Sequence, residues 1–251
     1  MRLALINGKL SMNHHLLKCS FILFAVSPTC IASEPLVIVA FGDSTTAQRE
    51  SVKVFAKRLE EQFAKESHSA RVINAGIPGN TSRQARERLD HDVIAYHPHV
   101  VTISFGINDS AIDVFKEETK PRVPLDEYQR NLIWMVKRLQ CRNIIPVLMT
   151  PNPVAWTDEL KRVYGKPPYR PDQPDGWNVL LKDYSQAVRR VAKDQQVPLV
   201  DTYRLFTEYS AAPGHNLNDL MLDGMHPADL GHAIIADHLM ARLKELEREK
   251  R

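Results

Sequence analysis

Residues 36–50 read LVIVAFGDSTTAQRE. Six apolar residues, three of them β-branched, run unbroken to Gly42, and Ser44 follows two positions later. A run with no polar alternation reads as a strand buried on both faces, which is what a parallel sheet requires. Gly42-Asp43-Ser44 at its end has two readings. One is a tight turn. The other is a nucleophile held at the edge of a sheet.

The rest of the chain repeats the pattern. RVIN (71–74), VVTISF (100–105), NIIPVLMT (143–150) and VPLVD (197–201) are further short apolar runs. Pro146 sits inside the fourth, where it predicts a strand start or a bulge. Between the runs lie helical patterns. Val52, Phe55, Leu59 and Phe63 share one helical face. Thr81-Ser82-Arg83-Gln84 has the form of a capping box. Leu125–Leu139, Trp177–Ala192 and Pro227–Leu246 complete the set, with Pro227 suited to a first helical turn. Strand alternating with helix predicts an α/β fold whose parallel sheet is covered on both faces.

One segment breaks the rhythm. Six of the sixteen prolines fall between Pro151 and Pro174, together with Trp156, Tyr164 and Tyr169. It follows a strand, so it should rise from the carboxyl edge of the sheet. It reads either as a functional loop or as a proline-stiffened surface loop.

The 251 residues suit one sizeable domain, with 43% hydrophobic and 25% charged residues. The net charge is +3, from 33 basic and 30 acidic side chains, with no concentrated basic stripe. That argues against a nucleic-acid partner. Residues 1–33 read as a secretory signal: Lys18, the apolar run CSFILFAV, then SPTCIAS with its small residues. The run is too short to span a bilayer. Met12 offers an alternative start, and a lipoprotein cysteine at Cys30 fits less well because Thr29 precedes it. Cleavage near Ala32 or Ser33 would leave residues 34–251, secreted or periplasmic, with Cys141 alone and no internal disulfide.

In open parallel sheets, ligands sit beyond the carboxyl ends of the strands. Gly42-Asp43-Ser44 follows the first strand, AGIPGNTS (75–82) the second and GINDS (106–110) the third; DGMHP (223–227) comes past the fifth strand and a helix. Together they supply acyl-transfer chemistry. A serine needs a base to take its proton, and His226 is a candidate because imidazole titrates near neutrality. Asp223, three residues earlier, can fix the imidazole tautomer. The backbone N–H groups of Ser44 and Gly79 and the side-chain amide of Asn108 can serve as oxyanion donors. Singly these are weak signals: an Asn-Asp pair also reads as a helix cap, and Asp223 as an Asx turn. Their joint occurrence in this order is far more specific.

FGDST, GIPGNTS, FGIND and LDGMHP resemble the sequence blocks of the SGNH hydrolases, the GDSL family of esterases and lipases. The resemblance spans the chain from about Leu36 to the final helix. It implies a flavodoxin-like three-layer α/β/α sandwich with a five-stranded parallel sheet. It also implies that Ser44, Gly79, Asn108 and His226 act together, with Asp223 as the histidine's partner. Thr45 departs from the leucine common in that family and resembles the carbohydrate acetylesterase branch. The function expected is hydrolysis of short, acetyl-type esters on a small molecule or glycan, without cofactor or metal. Three alternatives stay open: a lysophospholipase or lipase, an acyltransferase, and a binding protein that no longer catalyses. His91, His97 and His99 precede the third strand, at the edge away from the expected site, and His232 and His238 do not share a helical face. No H-E-x-x-H, phosphate-binding loop or G-x-S-x-G elbow occurs.

Overall fold

A computed structural model describes residues 35–66 and 69–249. The predicted signal, with Met12, Cys19 and Cys30, lies outside these residues. Five strands form one all-parallel sheet: β1 (Leu36–Gly42), β2 (Ala70–Gly76), β3 (Val100–Ser104), β4 (Ile145–Met149) and β5 (Leu199–Val200). The order across the sheet is β2-β1-β3-β4-β5. The chain leaves β1 toward β2 and then returns to β1's other side for β3. The crevice beyond the carboxyl ends of β1 and β3 is therefore the switch point where such folds bind ligands.

The period of two along the central strands sorts their side chains onto two faces. Val39 and Phe41 of β1, Val101 and Ile103 of β3 and Leu148 of β4 share a core with α2 (Ser82–Asp92), α4 (Leu125–Gln140) and α6 (Asn178–Asp194). Ile38, Ala40, Val100, Val147 and Met149 meet α1 (Phe55–Lys65), α7 (Thr202–Ala211) and α8 (Asp229–Glu249) on the other face. This is the three-layer sandwich anticipated. Two short helices, α3 (Ile107–Ser110) and α5 (Asp158–Tyr164), lie in the loops after β3 and β4.

Several details differ from the sequence reading. Val52 is buried but precedes α1, which begins at Phe55. Pro227 lies outside α8, in an isolated antiparallel bridge with Met221. Helix α5 has no counterpart in the sequence pattern, and the helix expected between the fifth strand and residues 223–227 is α7. Pro146 sits within β4 without a bulge. Ile145 donates its N–H to His99 on the β3 side, whereas Leu148 and Thr150 donate to the β5 side. By that alternation residue 146 faces the β5 side, and β5 begins pairing only at Leu148. A missing N–H there breaks no ladder bond.

The segment 151–174 is not a plain surface loop. Val154, Trp156 and Tyr169 are buried in a third apolar cluster with Ile107, Ile112 and Trp177. Tyr169 stacks on Trp177 with ring centroids 5.3 Å apart, and its hydroxyl oxygen accepts the Ile112 N–H at 2.8 Å. Its aromatic rings are spent on packing this segment down onto the loop after β3.

Candidate active site

The turn after β1 folds back on the strand that leads into it. Thr46 and Ala47 donate their N–H groups to the Asp43 carbonyl at 3.2 and 3.0 Å. This leaves no room beneath them. A Cβ on Gly42 would sit 2.1 Å from the Thr46 hydroxyl and 2.8 Å from the Ser104 carbonyl, and one on Gly76 would sit 2.3 Å from the Ala47 nitrogen. Asn74 adds a tie, donating to the Thr46 carbonyl at 2.7 Å. Residues 41–47 are buried except Ser44. Asp43 Oδ1 accepts from both the N–H and the hydroxyl of Thr45 at 2.9 Å. Burial pushes the Asp43 carboxyl above its ordinary pKa, against those two hydrogen bonds. The Thr45 hydroxyl is therefore committed to the turn and buried.

His226 arrives on a loop closed at its base. Leu222 donates to the His226 carbonyl at 2.8 Å, and Met221 and Pro227 pair. Asp223 Oδ1 accepts the N–H groups of Met225 and His226 at 3.0 and 2.9 Å. Its Oδ2 lies 2.7 Å from His226 Nδ1, and His226 Nε2 lies 3.0 Å from Ser44 Oγ. The Asp223–His226 pairing is thus made by a looped backbone, not by a helical turn. Burial raises the Asp223 pKa, but hydrogen bonds from the His226 ring and from the two backbone N–H groups outweigh it and hold this carboxyl well below the usual range. An ionised carboxylate only accepts, so Nδ1 carries the proton and Nε2 is left to accept from the serine hydroxyl.

The segment after β4 braces this loop. Ala155 donates its N–H to the Gly224 carbonyl at 2.7 Å, and Asn152 Nδ2 donates to the Met225 carbonyl at 3.0 Å. Gly224 has φ +90, and a Cβ there would meet the Ala155 carbonyl at 2.7 Å.

Gly79 and Asn108 come from the next two strand ends. Ile77-Pro78-Gly79-Asn80 is a turn closed by the Asn80 N–H on the Ile77 carbonyl at 3.3 Å. Proline followed by glycine at φ +77 is the type II pattern. A Cβ on Gly79 would meet nothing within 4 Å, so space lies open in front of it. Asn108 lies in α3, whose N-cap is Gly106 at φ +135. Its side chain does not cap that helix. Asn108 Nδ2 donates to the Asn80 carbonyl at 3.1 Å, and its Oδ1 accepts from Arg122 Nη1 at 3.1 Å. Asp109, beside it, is turned inward: its Oδ1 accepts the Ser82 N–H at 2.9 Å, and burial pushes its pKa up to about 7. Ser82 opens α2 behind the capping box at Thr81, which forms as anticipated.

Four residues of this site escaped the sequence reading. Asn80 links the second and third loops. Arg88, inside α2, donates to the Asn80 side chain at 2.8 Å and to the carbonyls of Ala75 and Gly42 at 2.9 Å, with its guanidinium 4.4 Å over the Phe41 ring. Arg122 and Asn152 are the others. Asn80 and Asn152 carried a signal, their places just past the carboxyl ends of β2 and β4. The histidines set aside stay apart: His99 accepts the Val37 N–H at 3.0 Å at the amino edge, and His91 is exposed. Among the described residues no three His, Cys, Asp or Glu side chains cluster to hold a metal ion, and no helix is long and apolar enough to cross a membrane.

A flavodoxin-like sandwich with serine, histidine and aspartate converging at its switch point defines a class of hydrolases. Residues 40–234 match the GDSL-like lipase/acylhydrolase family, and the chain belongs to it. It is a carboxylic ester hydrolase. The chain is similar to three curated relatives, two of them named as esterases. An acetylxylan esterase of Geobacillus stearothermophilus is 31% identical over 66% of this chain and 68% of its own. A solved structure of an acetylxylan esterase from Geobacillus stearothermophilus superposes with TM-score 0.65 at 26% identity, covering 83% of this chain and 94% of the other. The isoamyl acetate-hydrolyzing esterase 1 homolog of Rattus norvegicus is 28% identical over 80% and 79% of the two chains. The uncharacterized lipoprotein YqeF of Bacillus subtilis is 30% identical over 75% and 79%.

Proposed function

We propose that the protein is an exported serine esterase that removes acetyl-type groups from a carbohydrate. The observation that carries the chemistry is the Asp223–His226–Ser44 chain, with links of 2.7 and 3.0 Å. In this reading His226 Nε2 takes the Ser44 proton as Oγ attacks the ester carbonyl carbon. The carbonyl π pair moves onto oxygen, facing the N–H groups of Ser44 and Gly79 and the Asn108 amide. Collapse of that intermediate breaks the bond to the alcohol, which leaves with the proton from His226. Water, deprotonated by His226 in turn, then releases the acyl group from Ser44.

For the acyl part, the support is that two relatives are both named for acetyl esters that differ in the alcohol, acetylxylan and isoamyl acetate. For the alcohol part it is the acetylxylan esterase alone. For export it is the leader-like sequence of residues 1–33 and a lipoprotein among the relatives. The test is a panel of aryl esters from acetate to palmitate, with acetylated xylan and isoamyl acetate alongside, run on wild type and Ser44→Ala. The reading expects acetate turnover above palmitate, acetate release from xylan, and loss of both in Ser44→Ala. A kcat/KM for palmitate above that for acetate would replace it with a lipase, and transfer of the acyl group to an added sugar in preference to water would replace it with an acyltransferase. N-terminal sequencing of protein from its native host should begin close to Ser33 or Glu34.

A further inference from the structure

We propose that Arg122 is a positioning residue for the Asn108 amide, fixing which end of that amide faces the reacting oxygen and strengthening it as a donor. The inference rests on the oxyanion reading above. The two ends of a carboxamide are alike in shape and opposite in polarity. An asparagine free to flip would offer the oxyanion its own oxygen, which repels it. Asn108 is held from two sides by partners that each tolerate one end. Arg122 has only donors, so the atom 3.1 Å from its Nη1 must be the amide oxygen. The Asn80 carbonyl only accepts, so the atom 3.1 Å from it must be the amide nitrogen. One N–H of Nδ2 is then used by Asn80, and the second is left for the substrate.

Arg122 is itself anchored. Its Nε and Nη2 reach Asp113 Oδ1 at 3.2 and 2.7 Å, and the Asp113 side chain is only 13% exposed. The backbone is fixed as well: Arg122 donates to the Ala111 carbonyl at 2.9 Å, and Val123 to the Asp109 carbonyl at 3.0 Å. The chain Asp113–Arg122–Asn108–Asn80 therefore runs through charged and polar groups of set polarity, and Arg88 continues it from the Asn80 side chain to the end of β1. A cation at Oδ1 also draws electron density from the amide nitrogen and makes its N–H a better donor. That gain is largest when the acceptor carries full charge, which happens after the serine attacks. The signature is a loss in kcat with little change in KM. The simpler alternative is that the Arg122–Asp113 ion pair only staples the loop after β3, which would show in melting temperature and not in kcat.

The experiment is a double-mutant cycle on p-nitrophenyl acetate with wild type, Asn108→Ala, Arg122→Ala and the double variant, reading kcat, KM and melting temperature. Arg122→Ala should lower kcat about tenfold and leave KM within about twofold. In the Asn108→Ala background, itself down by roughly 10²–10³ in kcat, the same change should have no further effect. Arg122→Lys, which keeps a cation but not the fork, should fall between wild type and Arg122→Ala. It carries the same cycle if Arg122→Ala does not fold. Unchanged kcat in Arg122→Ala or Arg122→Lys, or an equal loss with and without Asn108, overturns the proposal while leaving the oxyanion reading intact. Unchanged kcat in Asn108→Ala overturns both.

Discussion

The turn that carries Ser44 and the loop that carries His226 meet at 3.0 Å, and different things hold them. The serine turn is an outgrowth of the sheet. It follows β1, the strand between β2 and β3, and packs against the ends of β1 and β2 through two glycines that admit no side chain. The histidine loop has no strand beneath it. It is propped upstream by Asn152 and Ala155 after β4. Downstream, Asp229 accepts the Lys53 N–H at 3.0 Å, and His232 Nδ1 accepts the Phe55 N–H at 3.2 Å. The nucleophile's place is thus inherited from strand pairing. The base's place depends on contacts between segments far apart in sequence.

Removing chemistry from either arm should erase the comparison. Ser44→Ala and His226→Ala should each cost on the order of 10⁶-fold in kcat, and Asp223→Ala less, about 10⁴-fold. Stopped assays, with fluorophosphonate labelling lost only in Ser44→Ala and the histidine variants, check this. Retention of full activity by Ser44→Ala would end the mechanism.

Crowding the serine arm should damage folding before chemistry. Gly76→Ala puts a methyl group against the Ala47 backbone, which cannot swing aside. It should destabilise by about 3 kcal/mol or more, lowering Tm by roughly 6–12 °C for a chain of this size.

His232 ties the two arms together, and its tie is pH-dependent. Burial, with the Arg58 cation adding to it and Asp229 opposing, lowers its pKa from 6.5 to about 4. The folded form binds this proton less readily than the unfolded chain. Above pH 6.5 neither form is protonated and stability does not depend on this group. As the pH falls from 6.5 to 4, the unfolded chain gains the proton first and stability drops by about 3 kcal/mol. His232→Asn keeps an acceptor for Phe55 and cannot titrate, so its Tm should fall less steeply with acid than that of wild type. Parallel acid limbs would show that the tie lies elsewhere.

The finest test separates the arms. Asn152→Ala removes one prop of the histidine loop and nothing of the serine turn. It should lower kcat about tenfold through misplacement of His226, at a stability cost of only about 1 kcal/mol. Equal kcat in the variant and wild type would mean that the Ala155–Gly224 contact suffices alone.

Much of this was legible beforehand because it is local. The apolar runs of β1 to β4, the capping box at Thr81 and the order serine, glycine, asparagine, histidine are patterns of neighbouring residues. Helix α7 was legible in its place but not in its bounds. It follows β5 after Asp201, whose side chain caps it by accepting the Arg204 N–H at 3.2 Å. Thr45 was legible as a resemblance, but not its role in the turn, where its N–H and hydroxyl are both held by Asp43.

From its sequence alone this chain is set as a parallel α/β protein with a serine after the first strand, because periodicity and turn chemistry depend only on adjacent residues. Tertiary structure decided the rest: that Pro146 costs no ladder bond, that the aromatics of 151–174 pack inward, and that Arg88, Arg122, Asn80 and Asn152 hold the site. A hydrogen bond to a carbonyl several dozen residues away leaves no trace in local pattern, since its geometry exists only once the strands have paired and brought their loops to one edge.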